Sequence, residues 1–143
     1  MRLDTKGYKA LHGREGLKTY PYLDTKGVPT IAMGNTYYLD GRRVTMKDRP
    51  LSIAEAEQLG KVTADKFAKK VDTLITSKVN QNQFNALVSI AYNIGINGFA
   101  GSTFLSRVNR NPNDHNIASA IMMWVKDKEL IGRRCSEVIQ YFS

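Results

Sequence analysis

Cysteine is nearly absent from this chain, and that removes several readings at once. Cys135 stands alone among 143 residues, so neither an internal disulfide nor a cysteine-built zinc site can form. Only two histidines occur, His12 and His115. They lie far apart without ligand spacing and read as surface or boundary residues, so no metal site and no cofactor are expected. No apolar run approaches the ~18 residues that a membrane span needs, and the opening MRLDTKGYKA lacks the apolar stretch of a secretory signal. Repeats, low-complexity tracts and Ser/Gly linkers are missing too, so a single domain over residues 1–143 is expected. Acidic residues are the minority charge: 13 Asp and Glu against 21 Lys and Arg leave the chain at +8. That balance favours a polyanionic partner, whether nucleic acid, anionic lipid or an acidic wall polymer. No aromatic-basic platform for single strands stands out.

What is present divides into two kinds of pattern. Asp4 to Arg14 reads as a helix on which Tyr8, Leu11 and Glu15 share one face, with Gly16 suited to the left-handed stop position. TYPYL, the turn DTKG and VPTIAMG then make a hairpin, and YYLDGRRV carries a second Asp-Gly turn. Everything after Pro50 reads as helical. Ser52–Glu55 is a capping box opening a helix to about Ser77, with Ile53, Ala56, Leu59, Phe67, Val71, Leu74 and Ile75 as its apolar stripe. Asn80 caps a segment in which Phe84, Leu87, Val88 and Ala91 form an i, i+3, i+4, i+7 face that stops at Gly95. Shorter helices are expected at about 102–109, 113–126 and 130–141. Free cysteine is commonly buried, so Cys135 in RRCSEVIQYF is expected in the core or at its boundary. The architecture is α+β, a small amino-terminal β region with a mainly helical carboxy-terminal body, and a site is expected in the groove between them.

The chemistry concentrates in EGLKTYPYLDTKGVPTIAMGNT. Glu15 lies at a helix carboxyl end, where the partial negative charge of the dipole favours the proton-bearing form a general acid needs. Asp24 opens the DTKG turn, where amide donors suit an ionised carboxylate. With Thr25–Gly27 as the loop, Asp24 pairs with Val28 and Tyr22 with Thr30, so the alternation of strand side chains puts Asp24, Tyr22 and Thr30 on one face. An Asp opening a turn is ordinarily structural, and a Glu at a helix end can be a mere surface group. Taken together, two carboxylates in contrasting environments are the equipment for glycosidic bond cleavage, and a nearby hydroxyl can hold a water.

The spacing Glu15, eight residues, Asp24, five residues, Thr30, in its surrounding sequence, closely resembles the phage-type lysozymes of glycoside hydrolase family 24. NQNQFNALVSIAYNIG, GFAGSTFLSRVN and LIGRRCSEVIQYF extend the resemblance over nearly the whole chain. It implies a lysozyme-like fold and a muramidase that hydrolyses the β-1,4 bond between N-acetylmuramic acid and N-acetylglucosamine. Carried over by position, Glu15 is the general acid, Asp24 the partner carboxylate and Thr30 the water-positioning hydroxyl. Arg134 takes the place of a family arginine that pairs with the catalytic glutamate, and Tyr92 and Asn93 match positions near the sugar-binding cleft. The chain departs from the family at Ala32-Met33-Gly34-Asn35-Thr36, where Gly-Tyr-Gly-His-Thr is usual. Asn35 thus replaces a histidine near the cleft, keeping hydrogen bonds but not charge.

The resemblance further implies peptidoglycan as partner, a monomer, and synthesis in a host cytoplasm followed by release to the wall through a holin, or carriage in the virion. Rival readings are a lysozyme-like wall-binding module without activity, a basic nucleic-acid-binding domain supported by charge alone, and a lytic transglycosylase. The last requires the acid but no water-activating Asp24 or Thr30.

Overall fold

The computed structural model describes residues 1–143. The helices are α1 (Thr5–Glu15), α2 (Ile53–Leu74), α3 (Gln81–Ile94), α4 (Ile96–Ala100), α5 (Thr103–Arg110), α6 (Asn116–Ile121) and α7 (Leu130–Tyr141). Between α1 and α2 lies one antiparallel pair, β1 (Lys18–Leu23) and β2 (Pro29–Ala32). The chain folds as two compact units, one of residues 9–64 and the other of residues 1–8 with 65–143. The α+β architecture expected from the sequence is what forms.

In the unit of residues 9–64, α1 ends where the sequence places its stop. Gly16 has φ 75° and its amide donates to the His12 carbonyl at 2.8 Å. The hairpin has the expected register, with Tyr22 opposite Thr30 and Leu23 opposite Pro29. Between Lys18 and Tyr22 the register shifts, and Pro21, which has no N–H to give a ladder, sits within that irregular stretch. Ile31, Ala32, Val44, Ala56 and Leu59 make the core of this unit, with Leu17, Tyr38 and Leu51 packed against it. Ser52 and Glu55 exchange the reciprocal bonds of a capping box at 3.0 Å each, which is why α2 starts there. At Gly60 a Cβ would stand 2.4 Å from the Met33 sulfur, so any side chain there would force Met33 to shift.

The other unit is built on α3, whose residues from Gln83 to Ala91 are all buried. Asn80 and Gln83 form its capping box and Gly95 ends it. On α7, Arg134, Glu137 and Tyr141 are buried at i, i+3, i+7. That spacing turns Cys135 outward, and the thiol is exposed, which corrects its expected place in or beside the core. Ile53 is likewise exposed, at 65%, because the first residue of α2 precedes the stripe that Ala56 and Leu59 begin. The helix expected at 113–126 is shorter. Asp114 caps the amide of Asn116 at 2.9 Å, and after Ile121 the chain passes through turns into the charged stretch from Lys126 to Glu129. The one-turn helix α4 went unexpected because Gly95 and Gly101 bracket it. Phe99 anchors it, fully buried with its ring 5.7 Å from that of Phe104.

Candidate active site

The hairpin assembles the first group of expected residues from its own local chemistry. Asp24 Oδ1 accepts from the amides of Lys26 (2.8 Å) and Val28 (2.9 Å). The turn closes through Gly27, at φ 78°, whose amide donates to the Asp24 carbonyl at 2.9 Å. Both turn amides thus go to one carboxylate oxygen, and Oδ2 is left for other work. Thr30 is 2% exposed and its hydroxyl donates to the Val28 carbonyl at 2.8 Å. With its proton committed, Oγ1 can act toward any further partner only as an acceptor.

Glu15, half-buried at the end of α1, comes to the same hairpin. Its Oε1 lies 3.8 Å from where a Cβ at Gly34 would stand, and Gly34 has φ 76°. Tyr22 reports on both carboxylates. Burial first, then the charges of Glu15 and Asp24, push its phenol above the ordinary tyrosine value, so both carboxylates act on Tyr22 within Coulombic reach. Asp24 and Thr30 thus stand on the hairpin with Tyr22, and Glu15 approaches it from the end of α1 at Gly34.

Asn35 closes the tight turn that follows β2. Its backbone exchanges two 2.8 Å bonds with Ile31. Its side-chain oxygen accepts from the Met33 amide at 3.1 Å, and its nitrogen donates to the Thr63 hydroxyl at 2.8 Å. Asn35 is buried, and its amide serves the turn. Ala32, in the same turn, has φ 59°, a left-handed conformation that is costly for an L-residue.

The remaining expected residues belong to the other unit. Arg134 is fully buried, and each nitrogen of its guanidinium has a partner. Nε donates to the Trp124 carbonyl at 2.9 Å, Nη1 to Glu137 and Nη2 to the side-chain oxygen of Asn93. Asn93 itself is exposed, and Arg134 holds its side-chain oxygen. Tyr92 packs its ring 5.0 Å from that of Phe67. The carboxylate set against Arg134 is that of Glu137, a fully buried residue that also accepts from the Ser89 hydroxyl at 2.6 Å and from Arg133 at 3.3 Å. Glu137 was missed in reading the sequence. Its signal was the spacing in RRCSE, which stacks a glutamate three and four residues after two arginines on one helix face. No three His, Cys, Asp or Glu side chains converge as a metal site.

Comparison with known proteins decides the family. The family model described as phage lysozyme matches residues 12–137, which contain every expected site residue. This chain belongs to the phage lysozyme family. The endolysin of Salmonella phage P22 is 32% identical over 126 residues, covering 88% of this chain and 85% of that protein. Among solved structures, the endolysin from Escherichia coli O157:H7 phage FAHEc1 superposes with a TM-score of 0.91 at 36% identity, covering 100% of this chain and 94% of that one. The muramidase domain of SpmX from Asticaccaulis excentricus gives 0.84 at 26% identity, over 99% and 98% of the two chains. This phage lysozyme is thus a glycoside hydrolase of the lysozyme type, and its fold class is theirs.

Proposed function

We propose that the chain cleaves the β-1,4 bond between N-acetylmuramic acid and N-acetylglucosamine in peptidoglycan, with Glu15, Asp24 and Thr30 as its working groups. Peptidoglycan hydrolysis follows from the family; the division of labour among these residues is our reading. Glu15 gives its proton to the leaving glycosidic oxygen. Asp24 takes a proton from water as that water attacks the anomeric carbon, and its ionised form also stabilises the oxocarbenium-like transition state. The supporting observation is the hydrogen-bond state of the hairpin: Asp24 Oδ1 is occupied by turn amides and the Thr30 proton by Val28. That leaves two acceptors, Asp24 Oδ2 and Thr30 Oγ1, to hold both hydrogens of one water and aim its lone pair. The phage setting extends the reading to a monomer that reaches the wall through a holin-type pore or in the virion. The charge of +8 suits an anionic wall.

The test is Glu15→Gln on purified sacculi. The amide cannot deliver a proton, so lysis should fall by roughly a hundredfold or more while circular dichroism and thermal midpoint stay near wild type. Retention of more than about a tenth of the rate would remove Glu15 from the acid role, since general acid catalysis is worth at least ~10²-fold.

A further inference from the structure

The segment from Tyr37 to Leu51, which carries the second Asp-Gly turn, lines with the start of α2 an open pocket of ≈ 530 Å³. That volume lies within the range of roughly 300–1,000 Å³ usual for small-ligand sites. None of Glu15, Asp24, Thr30 or Asn35 lines it. Leu51 and Leu59 give it an apolar lining, joined by Leu39, which is 54% exposed. The Tyr38 ring forms a wall, with the Arg42 guanidinium 5.2 Å from its centroid.

Each charged group in the lining is already held by a protein partner. Arg42 bonds Asp40 at 2.7 Å, and Arg49 grips Glu55 through two nitrogens at 3.0 and 3.3 Å. Asp48 accepts from the Tyr38 hydroxyl at 2.7 Å and from the hydroxyl and amide of Thr45 at 2.6 and 2.8 Å. These bonds hold Asp48 at about 2, chiefly through Thr45, and Glu55 at about 2, chiefly through Arg49. Burial, helped by Asp48, pushes Tyr38 up to about 12. Asp48, Glu55 and Tyr38 therefore keep one protonation state across the physiological range. Arg42 is tied through Nε, so its two terminal nitrogens have donor edges to offer.

The charge balance selects the ligand. Two guanidiniums stand against three carboxylates, so the lining is slightly negative on a chain that is strongly positive. A phosphate or carboxylate ligand would meet that excess of negative charge. A bare cation finds no converging set of acidic ligands. A neutral polyol suits what is left: planar donors and acceptors for hydroxyls, and Leu39, Leu51 and Leu59 for the apolar side of a sugar ring and an acetamido methyl. We propose that this pocket is a second saccharide site, distinct from the hydrolytic hairpin, taking a neutral N-acetylated amino sugar. That this sugar is the N-acetylglucosamine of the glycan strand rests on the peptidoglycan reading above.

The test is a titration of the ¹⁵N-labelled full chain with N,N′,N″-triacetylchitotriose, an uncharged probe, followed by NMR. Saturable shifts at the amides of Tyr38, Leu39, Leu51 and Gln58 are expected. Leu39→Ser with Arg42→Ala, two surface changes, should weaken those shifts at least fivefold. The same pair should lower retention on purified sacculi, while hydrolysis of a soluble glycan stays within twofold of wild type. Silent pocket amides, unchanged affinity in the double variant, or a stronger response to inorganic phosphate than to the sugar would each overturn the site. If wild type fails to hydrolyse sacculi while the pocket amides still respond, the muramidase reading falls and the saccharide site stands. Full hydrolysis with a silent pocket removes the saccharide site and leaves the muramidase reading intact.

Discussion

The side-chain amide of Asn35 bridges the tight turn after β2 and helix α2, accepting from the Met33 amide and donating to the Thr63 hydroxyl at 2.8 Å. A neutral imidazole has one acceptor and one donor, so it can fill both roles in one tautomer; an imidazolium has two donors and cannot accept from Met33. Asn35→His should therefore fold and keep activity within tenfold near pH 8. The folded state needs the neutral ring, which depresses the histidine pKa. The stability it gives is present above the unfolded value of about 6.5 and is lost as pH falls below it. Thermal midpoints measured from pH 8 to pH 5 should fall in the variant relative to wild type. Parallel curves would mean that the ring does not take the amide's place.

Ala32 carries opposing effects in the same turn. Its φ of 59° costs about 1–2 kcal/mol for an L-residue, yet its methyl group is buried in the core with Ile31 and Val44. Ala32→Gly relieves the strain but loses a methyl worth about 0.8 kcal/mol and adds unfolded-state entropy worth about 0.5–1 kcal/mol. The net change should lie within about 1 kcal/mol of zero by urea denaturation. Ala32→Val puts a β-branched side chain at positive φ and should destabilise by about 2 kcal/mol or more. If glycine instead stabilised by well over that margin, the buried methyl would not be offsetting the strain.

How far the site could be read in advance depended on whether its contacts were local. Asp24 and Thr30 were placed correctly on the hairpin because turn chemistry and strand alternation act over a few residues; the Tyr22–Thr30 register followed from the loop length. The stop at Gly16 and the caps at Ser52 and Asn80 followed for the same reason. Ala32 at positive φ escaped notice, although the family's usual glycine at that position pointed to it. The Arg134–Asn93 bond spans 41 residues and the Ser89–Glu137 bond 48; no local periodicity encodes which polar groups meet inside a core. Cys135 departs from the general tendency of cysteines to be buried because the buried face of its helix is set by Arg134, Glu137 and Tyr141.

The fully buried pair Arg134–Glu137 makes a second stability prediction. Glu137→Gln would leave Arg134 and the largely buried Arg133 without their carboxylate. Breaking such a pair on one side costs about 3–5 kcal/mol. Arg134→Met should cost less, because Glu137 keeps Arg133 and the Ser89 hydroxyl as partners while only the Arg134 bonds to Glu137, Asn93 and Trp124 are lost. The double variant Arg134→Met with Glu137→Leu should be less destabilised than the sum of its singles by at least about 1 kcal/mol, because both charges leave together. Additive costs in a double-mutant cycle would show that the two groups are not coupled.

The hydroxyl of Thr30 makes the sharpest case for how water is used. Its proton is committed to the Val28 carbonyl at 2.8 Å, so Oγ1 can only accept a hydrogen from water, while Asp24 Oδ2 can take the other. On the proposed roles, a water held by both would be the nucleophile, and its attack opposite Glu15 would invert the anomeric centre. Direct attack by Asp24 would retain the configuration, and cyclisation of the sugar onto itself would leave a 1,6-anhydro end with no water consumed. Thr30→Ser preserves the hydroxyl and should keep activity within about tenfold. Thr30→Val preserves the shape, removes the acceptor and should cost about 10²–10⁴-fold, the usual worth of positioned proton transfer. Early-time NMR of digested glycan should show the α-anomer at new reducing ends, and mass spectrometry should show hydrated N-acetylmuramic acid as the main product. A retained β-anomer would move Asp24 from base to nucleophile. Dominant anhydro ends would take water, and Thr30 with it, out of the reaction.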